Sequence, residues 1–399
     1  MHKSYDYSVL YKSEIGLGDT WEDIYDTTVP LSRNLLDILE GTIFLPHDFY
    51  DIVATYFLLP SALCKTVPYL FLYGQSGSGK STVAKVASYL HGCSINSSSD
   101  TFAGIRNTLE NRRYGYAEIP DESMPTGVWN KRVERNICMV WDDIDASVFV
   151  NSPDLYRLFK FGSNKSTDTI TISGKETGTN LVFHCFCPKV FSSISPLHLD
   201  DRFKELRRRL IVIPCKRVEE LTDERKLELG VTSSNWQGKL LDLDAYDWTG
   251  FEQLFTEYWD MDKAKAFIDT RKAVYSSARG LSSQQRGISL DLISTGIVTG
   301  VWRDATEALE RVKSYWKWFK DETEKNAGLT TLLKDYIKIE TKNASNGNRP
   351  LEIYTSDLRS QIDIWTQQGW LLEKPKTSAI KASMLDLGMR HRQGKWIKG

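Results

Sequence analysis

The chain has 399 residues, of which 41% are hydrophobic and 26% are charged, values typical of a soluble globular protein with two to four domains. The formal net charge of −1 excludes a protein that binds nucleic acid over its whole surface, so any such binding has to come from local basic segments. No apolar run approaches the roughly 20 residues needed to cross a bilayer, and residues 1–25 do not resemble a signal peptide. We therefore expect a cytoplasmic protein that does not associate with membranes.

The first part of the chain predicts a helical segment followed by an α/β core. Residues 1–62 show no strong period apart from a predicted helix over 47–60. From 63 to 216, short apolar runs alternate with helical stretches, and the predicted strands are 69–73, 136–141, 188–193 and 210–213. Strands separated by helices favour a parallel sheet with crossover helices, so the expected fold class is α/β.

The first predicted strand is followed by GQSGSGKST, which matches the phosphate-binding pattern G-x-x-x-x-G-K-[ST] in full and leads into a predicted helix. Backbone N–H groups of such a loop, at a helix N-terminus, cradle the phosphates of a nucleoside triphosphate. Lys80 would reach the β- and γ-phosphates, and the Ser81 hydroxyl would help to hold Mg²⁺. The predicted binding residues for ATP are Gly74, Gln75, Ser76, Gly77, Ser78, Gly79, Lys80, Ser81 and Thr82.

A second motif, NICMVWDDID at 136–145, is an apolar run that ends in two acids. In a protein with a phosphate-binding loop, Asp142 is the expected partner of Ser81 in holding Mg²⁺. Asp143 stands where a glutamate usually orients the attacking water, and Asp145 is the alternative for that role.

Together these motifs make the chain resemble an AAA+ ATPase, in particular superfamily 3 helicases and related primase-helicases of viruses, phages and plasmids. In that family the next strand ends in a polar sensor residue, followed by a proline and then by arginines before another apolar strand. The resemblance assigns Ser193 to the sensor position, where the family usually has Asn or Thr, with Pro196 after it. It covers roughly residues 60–217 and implies an AAA+ ATPase core over 63–216.

The segment LHLDDRFKELRRRLIVIP at 197–214 carries four arginines: Arg202, Arg207, Arg208 and Arg209. The resemblance implies a ring of identical subunits, expected to be a hexamer, in which an arginine of one subunit completes the nucleotide site of the next. Arg208 and Arg209 match the family's position for this residue, and Arg202 is the alternative. A solvated basic surface is the other interpretation of the four arginines.

Residues 165–186 predict two strands around a turn at 173–178. Related helicases carry a β-hairpin in this interval that grips nucleic acid inside the ring channel. The resemblance therefore implies DNA contacts from Lys165, Lys175 and Thr177. An exposed hairpin with a solubilising lysine is the alternative.

The rest of the chain predicts a helical region over 217–325, with one helix over 302–319, and a small domain over 326–399 with a polar loop at 341–350. In that domain a predicted helix over 378–387 and strands over 389–392 and 395–397 indicate a winged helix. Basic residues outnumber acidic ones in this segment, and the expected DNA contacts are Arg390, Arg392 and Lys395. Winged helices also bind proteins, and Trp396 is expected either to stack on a base or to pack internally.

The six cysteines include no CxxC pair, and several lie within apolar runs. This predicts buried thiols in a reducing compartment. The short sequence His184-Cys185-Phe186-Cys187 lacks a second ligand pair, so we do not expect a metal site there.

The resemblance implies an ATP-driven DNA motor, a replicative helicase of a virus, phage, plasmid or integrated mobile element, with single-stranded DNA in a central channel. The alternative is an ATP-dependent initiator or helicase loader that binds DNA without processive unwinding. The chain length, the second acid and the C-terminal domain disfavour a small-molecule kinase.

Overall fold

A computed structural model describes residues 19–46, 49–120, 128–173, 180–232, 240–325, 329–346, 351–367, 374–375 and 377–398. The chain divides into two compact units, the first comprising Met1–Leu197 with Glu205–Tyr315 and the second His198–Lys204 with Trp316–Gly399. The predicted boundaries at 62/63 and 216/217 fall inside the first unit, and the boundary at 325/326 falls inside the second.

The described strands of the first unit alternate with helices along the chain. In order they are β1 (Tyr69–Tyr73), β2 (Ile95–Asn96), β3 (Tyr114–Pro120), β4 (Val128–Glu134), β5 (Met139–Trp141), β6 (Thr169–Ser173), β7 (Asn180–His184), β8 (Lys189–Ser193) and β9 (Leu210–Pro214). Five of them form a parallel sheet in the spatial order β2-β5-β8-β1-β9. The predicted α/β class is therefore confirmed.

The central strands β1, β8 and β9 are almost entirely buried, as expected for a parallel sheet that helices cover on both faces. Leu70, Phe71 and Leu72 of β1 are fully buried, and every residue of β8 and β9 is buried. Tyr69 pairs with Lys189 of β8 on one side and with Leu210 of β9 on the other. Burying each large apolar side chain stabilises the fold by roughly 1.5–3 kcal/mol.

The helices of the first unit are α1 (Leu31–Thr42), α2 (Tyr50–Phe57), α3 (Lys80–His91), α4 (Phe102–Arg113), α5 (Ala146–Asn151), α6 (Pro153–Phe161), α7 (Lys204–Arg207), α8 (Asp223–Leu229), α9 (Phe251–Tyr258), α10 (Met261–Ser277), α11 (Ser283–Val298) and α12 (Ala305–Lys325). The unit boundaries fall within α7 and α12. Of the predicted helix over 47–60, residues 47–48 lie outside the described residues, and α2 ends at Phe57 rather than at residue 60. Helix α12 begins at Ala305 and ends at Lys325, where a helix over 302–319 was predicted. Among the helices in the described ranges, none is long and apolar enough to span a membrane.

Two features of the sheet differ from the sequence prediction. The strand predicted over 136–141 starts only at Met139, because the preceding residues bond to a loop: Asn136 Oδ1 accepts from Ala62 N (3.0 Å) and Ile137 N donates to Ser61 Oγ (2.9 Å). Strand β2 was not predicted, since two residues are too short to show a period.

Two antiparallel hairpins extend the first unit. The β6–β7 hairpin was predicted, and its pairing runs from Thr169 opposite His184 to Ser173 opposite Asn180. The β3–β4 hairpin was not predicted, and its strands pair from Tyr114 opposite Glu134 onward.

A network of ion pairs joins the roots of both hairpins. Arg113, only 4% exposed, lies 2.9 Å from Asp168 and 2.9 Å from Glu134. Lys165 Nζ lies 2.5 Å from Glu134, and His184 Nδ1 lies 3.2 Å from Asp168. Because Asp168 precedes β6 and Glu134 ends β4, Arg113 connects the two hairpins directly.

The second unit contains α13 (Leu329–Asn346), β10 (Glu352–Tyr354), α14 (Thr355–Gln367), α15 (Thr377–Asp386), β11 (Met389–Arg392) and β12 (Lys395–Lys398). Its antiparallel sheet has the order β10-β12-β11, and the predicted helix and two strands are present. Between β11 and β12, Gln393 (φ 47°) and Gly394 (φ 78°) both adopt positive φ, as a tight hairpin turn requires. The core is formed by Leu332, Leu333, Ile353, Leu358, Ile362, Trp365, Met384, Met389 and Trp396.

The prediction of a polar loop over 341–350 is wrong for residues 341–346, because α13 continues to Asn346. Thr341 Oγ1 donates to Ile337 O (2.7 Å) and Ser345 Oγ donates to Thr341 O (2.8 Å). These polar side chains bond back onto the helix and are thereby compatible with it.

All six cysteines are free thiols and all are buried, so the predicted burial is confirmed. Burial raises the pKa of the Cys64 and Cys138 thiols well above their ordinary value, and it raises the pKa of Cys185 and Cys215 to about 12. These four thiols therefore stay protonated and unreactive at neutral pH.

Candidate functional site

The predicted phosphate-binding loop lies between the C-terminal end of β1 and the first turn of α3. Gly79, the residue that caps α3, has φ 84°, a left-handed conformation that favours glycine. A Cβ at Gly74 would lie 2.2 Å from the carbonyl oxygen of Cys215, so a larger residue would push the loop away from the segment after β9. Both glycines are therefore required by the backbone path of the loop.

Lys80, the first residue of α3, is only 6% exposed and folds back over the loop. Its Nζ donates to the carbonyl oxygens of Gly74 and Gln75, each at 2.9 Å. Nearby, the Ser78 hydroxyl is buried and has no hydrogen-bond partner among the described residues. The loop thus presents a cation and an unsatisfied hydroxyl, both suited to a phosphate group.

The acidic pair follows β5 and is held by a serine of the neighbouring strand β8. Ser192 Oγ donates to Asp142 Oδ1 (2.6 Å) and accepts from Asp143 N (2.7 Å). Asp143 has φ 54°, a left-handed conformation that is costly for a residue with a Cβ and is found most often at functional sites. Both acids are therefore positioned by backbone and side-chain contacts.

The sequence prediction selected Ser193 rather than Ser192 as the polar residue at the end of β8. Ser193 is buried, and its Oγ accepts from Ser195 N (3.1 Å). Successive residues of a strand point to opposite faces, so these two serines cannot share a partner. Sequence reasoning therefore missed Ser192. Its role as the partner of Asp142 becomes visible only once β8 is known to pair with β5.

The loop and the acidic pair converge on one cavity of about 670 Å³ at the C-terminal edge of the sheet. Strand β8 lies between β1 and β5, so its serines stand between the phosphate-binding loop and the two acids. The cavity is lined by Thr42, Ile43, Phe44, Ser76, Gly77, Ser78, Gly79, Lys80, Ser81, Thr82, Asp142, Asp143, Ile194, Lys216, Arg217, Val218, Glu219 and Leu240.

Two basic residues of this lining were not predicted. Lys216 and Arg217 follow β9, and Arg217 Nε donates to the carbonyl oxygen of Ser76 (2.6 Å). They lie beside the loop because β9 pairs with β1, which the sequence alone does not reveal.

One part of the cavity wall is apolar and was also not predicted. Ile43 and Phe44 come from the segment after α1, and Val218 and Leu240 come from beyond β9. Phe44 and Val218 belong to one buried cluster. An apolar surface next to a phosphate-binding loop suits the flat face of a nucleotide base.

The arginines before β9 lie at the opposite edge of the sheet from this cavity. Arg209 directly precedes Leu210, which pairs with Tyr69 at the start of β1, whereas the loop follows Tyr73 at its end. A five-residue strand spans about 17 Å at ~3.3 Å per residue. Arg208 and Arg209 are therefore remote from the nucleotide-site candidate of their own chain.

Arg208 and Arg209 have partners within the first unit. Arg208 is exposed and forms an ion pair with Glu205, while Arg209 donates from Nε to Ser163 Oγ (3.0 Å) and from Nη1 to the Glu205 carbonyl. Arg207 is partly buried. Arg202 belongs to the second unit, where its guanidinium lies 2.5 Å from Asp200.

The residues predicted to contact DNA have varied environments. Lys165 is engaged at the hairpin roots, where its Nζ also donates to the Ala62 carbonyl (3.0 Å), and Lys175 and Thr177 lie outside the described residues.

In the second unit the predicted DNA contacts lie on the β11–β12 hairpin. Arg390 and Arg392 are exposed. Lys395 lies 2.8 Å from Glu352, and this hydrogen bond raises the pKa of its ammonium group. Trp396 is buried in the core of the unit, so it packs rather than stacks.

No protein-family model matches the chain, and no curated protein sequence matches it.

Proposed function

We propose that the chain is an AAA+ ATPase that hydrolyses ATP with Mg²⁺. The observation that carries this proposal is the convergence of Lys80 and Asp142 on a single cavity, although they come from separate segments, with Asp142 held by Ser192 of a third segment. A phosphate-binding loop facing an acidic pair across a polar strand end is an arrangement suited to phosphoryl transfer.

The lining of the cavity fits magnesium and a nucleoside triphosphate. The buried Ser78 hydroxyl lacks a partner among the described residues, and a bound phosphate would supply one. Within the described ranges no three His, Cys, Asp or Glu side chains form a preformed metal cage. Mg²⁺ usually binds through one or two carboxylates, waters and substrate phosphates, and Ser81 and Asp142 would hold it here.

In the proposed reaction a water attacks the γ-phosphate in line with the leaving group. Asp143 would orient this water and accept its proton, and Ser192 would keep Asp142 aligned. Lys80 would neutralise charge on the phosphates, and Mg²⁺ would stabilise the negative charge that develops during transfer.

The arginines before β9 support assembly into a ring. Because they lie at the far edge of the sheet, they can reach a nucleotide only in a neighbouring copy. A head-to-tail contact between identical subunits forms a closed ring when the rotation from one subunit to the next divides evenly into a full turn. We propose that this ring is a hexamer. An arginine supplied by a neighbour would couple hydrolysis to assembly.

We further propose that the ring acts on DNA as a replicative helicase of a virus, phage, plasmid or integrated mobile element. The β6–β7 hairpin supports a contact with single-stranded DNA in a central channel. In the second unit, α15 followed by the β11–β12 hairpin supports a winged helix with Arg390 and Arg392 facing phosphates. The free, buried cysteines are in keeping with a cytoplasmic location.

ATP hydrolysis by the wild type and by Asp143→Asn tests the ATPase proposal. Asparagine tolerates the left-handed backbone of Asp143, so the variant should fold normally while hydrolysis falls by about 10²–10⁴-fold. Asp145→Asn tests the alternative assignment: Asp145 caps α5 by accepting from Ser147 N (2.6 Å) and asparagine caps equally well, so hydrolysis by this variant should fall only if Asp145 orients the water. Equal rates for the wild type and Asp143→Asn would contradict the assigned role.

A strand-displacement assay distinguishes the helicase from the alternative initiator or loader. A helicase should unwind a forked duplex, and Lys175→Ala should reduce unwinding more than ATP hydrolysis. Hydrolysis that is stimulated by single-stranded DNA without any unwinding would instead favour the initiator or loader.

A further inference from the structure

Three successive carbonyl oxygens of the phosphate-binding loop accept hydrogen bonds from cationic side chains of the same chain. Lys80 Nζ binds those of Gly74 and Gln75, both at 2.9 Å, and Arg217 Nε binds that of Ser76 at 2.6 Å. Lysine at the position of Lys80 reaches the β- and γ-phosphates of a bound nucleotide. Arg217 therefore contacts the loop next to the place where the end of a triphosphate would lie.

The backbone that carries Arg217 is fixed on both sides. Cys215 N donates to Tyr73 O (2.7 Å), which extends the pairing of β9 with β1, and Arg217 N donates to Glu220 Oε2 (2.9 Å). The side chain itself is exposed and lines the cavity, and its two terminal nitrogens have no partner among the described residues. Arg217 thus combines a fixed backbone with a guanidinium that is free to change its partner.

A phosphate is a better partner for this guanidinium than the Ser76 carbonyl. Hydrogen bonds between charged groups are roughly twice as strong as neutral ones, and a guanidinium can bind two phosphate oxygens at once. The described lining of the cavity contains three acidic residues, Asp142, Asp143 and Glu219. It also contains three basic residues, which are Lys80, Lys216 and Arg217. A third cation beside Lys80 and Lys216 therefore helps to balance the charge that a triphosphate adds.

We propose that Arg217 is a phosphate ligand within its own subunit: its guanidinium releases the Ser76 carbonyl and binds the terminal phosphate of ATP instead. The inference rests on the proposed ATPase function. It adds recognition of the terminal phosphate by a single subunit, without a neighbouring copy. Arg217 would allow a single subunit to distinguish ATP from ADP, whereas the arginines before β9 would act only across a subunit contact.

Nucleotide affinity of the full chain tests this assignment, with a fluorescent non-hydrolysable ATP analogue and fluorescent ADP as the two probes. Binding is measured at a protein concentration at which light scattering gives the mass of a monomer. Arg217→Ala should weaken binding of the ATP analogue by about 10- to 100-fold, since a charged hydrogen-bonding partner of the terminal phosphate is lost. ADP binding should change by less than about threefold, and Arg217→Lys should bind the ATP analogue with intermediate affinity.

Arg303→Ala is the matched control, because Arg303 is an exposed arginine outside the cavity lining. Equal losses for both nucleotides would mean that Arg217 only holds the loop, and unchanged affinities would mean that it does not bind phosphate. Either result overturns the assignment. A wild type that binds neither nucleotide, or a Lys80→Ala variant that binds both as tightly as the wild type, would overturn the ATPase proposal itself.

Discussion

Ser192 and Ser193 are adjacent in β8, yet their hydroxyl groups have unrelated partners. Ser192 connects the Asp142 carboxylate to the backbone of Asp143, whereas Ser193 accepts from the backbone of Ser195. A change at one serine should therefore alter the acidic pair, and the same change at the other should not.

Ser192→Ala is expected to lower the rate constant of ATP hydrolysis by about 10- to 100-fold, because Asp142 and Asp143 both lose a hydrogen-bonding partner. Nucleotide affinity should stay within a few-fold of the wild type. Ser193→Ala is the control, and steady-state kinetics of both variants provide the measurement. The reverse pattern would identify Ser193 as the sensor that the sequence predicted.

The residues of the site that sequence could predict are those that are contiguous in the chain. The loop over 74–82 and the pair Asp142–Asp143 are recognisable because each motif is local. Ser192 and Arg217 were missed because their roles depend on which strands are neighbours and on which face of a strand a side chain lies. Neither property can be obtained from one short segment.

Among the elements, the two hairpins depend on the buried Arg113 at their common root. Removing its charge would leave the buried carboxylate of Asp168 with only the His184 imidazole beside it among the described side chains. The pKa of the Arg113 guanidinium is raised despite the cost of burial, because Glu134 and Asp168 favour its charged form.

Arg113→Met should lower the free energy of unfolding by about 3–5 kcal/mol, because it leaves a buried charge uncompensated. Arg132→Met is the control, since Arg132 is exposed and its guanidinium lies 3.7 Å from the centre of the Tyr114 ring. This substitution should lower the free energy of unfolding by less than about 1 kcal/mol. Urea denaturation of both variants measures the difference. Equal stability of the two variants would mean that the network contributes little.

Helix α3 ends at His91, which should make the stability of the fold depend on pH. Burial, together with the nearby Arg112, lowers the pKa of the His91 imidazole from 6.5 to about 3. The unfolded chain therefore binds this proton more readily than the folded chain. The stability that depends on neutral His91 is present above about pH 6.5 and is lost progressively as the pH falls towards 3.

Between pH 6 and 4.5, the free energy of unfolding should fall by up to about 1.4 kcal/mol per pH unit because of this one group. His91→Gln should be less stable at pH 7 but should show a shallower decline. Urea denaturation at several pH values compares the two slopes, and identical slopes would exclude His91 as the titrating group.

Element prediction succeeded where an apolar run was long enough to show its period. Strands β1, β8 and β9 follow this pattern, as do the helix and hairpin at the end of the chain. The β3–β4 hairpin was missed because Tyr114–Pro120 and Val128–Glu134 mix charged, aromatic and glycine residues without a clear alternation. Its position is set by the contacts of Arg113 rather than by a local pattern.

At the scale of the whole molecule, β9 separates two basic groups that serve different copies in the proposed ring. Lys216 and Arg217 follow the strand and line the cavity of their own chain, whereas Arg208 precedes it by two residues and is exposed at the other edge. Arg209 is partly buried and bonded to Ser163, whereas Arg208 is exposed and paired with the partly exposed Glu205, which makes Arg208 the better candidate for a contact with a neighbour.

Arg208→Ala should therefore abolish most ATP hydrolysis without preventing ATP binding. Mixing it with Lys80→Ala should restore some hydrolysis, because hybrid contacts pair an intact loop with an intact arginine. Hydrolysis rates across a series of mixing ratios provide the measurement. If Arg208→Ala alone retains full activity, Arg202 or Arg209 becomes the candidate, or the arginines are only a basic surface.

The burial of all six thiols has a practical consequence for measuring assembly. Maleimide dyes react with exposed thiolates, and this chain has none in its native state. A single cysteine introduced at the exposed Leu227 or Met261 would therefore carry one dye at one known position without removal of any natural cysteine. Energy transfer between differently labelled copies could then report ring formation in real time as nucleotide is added.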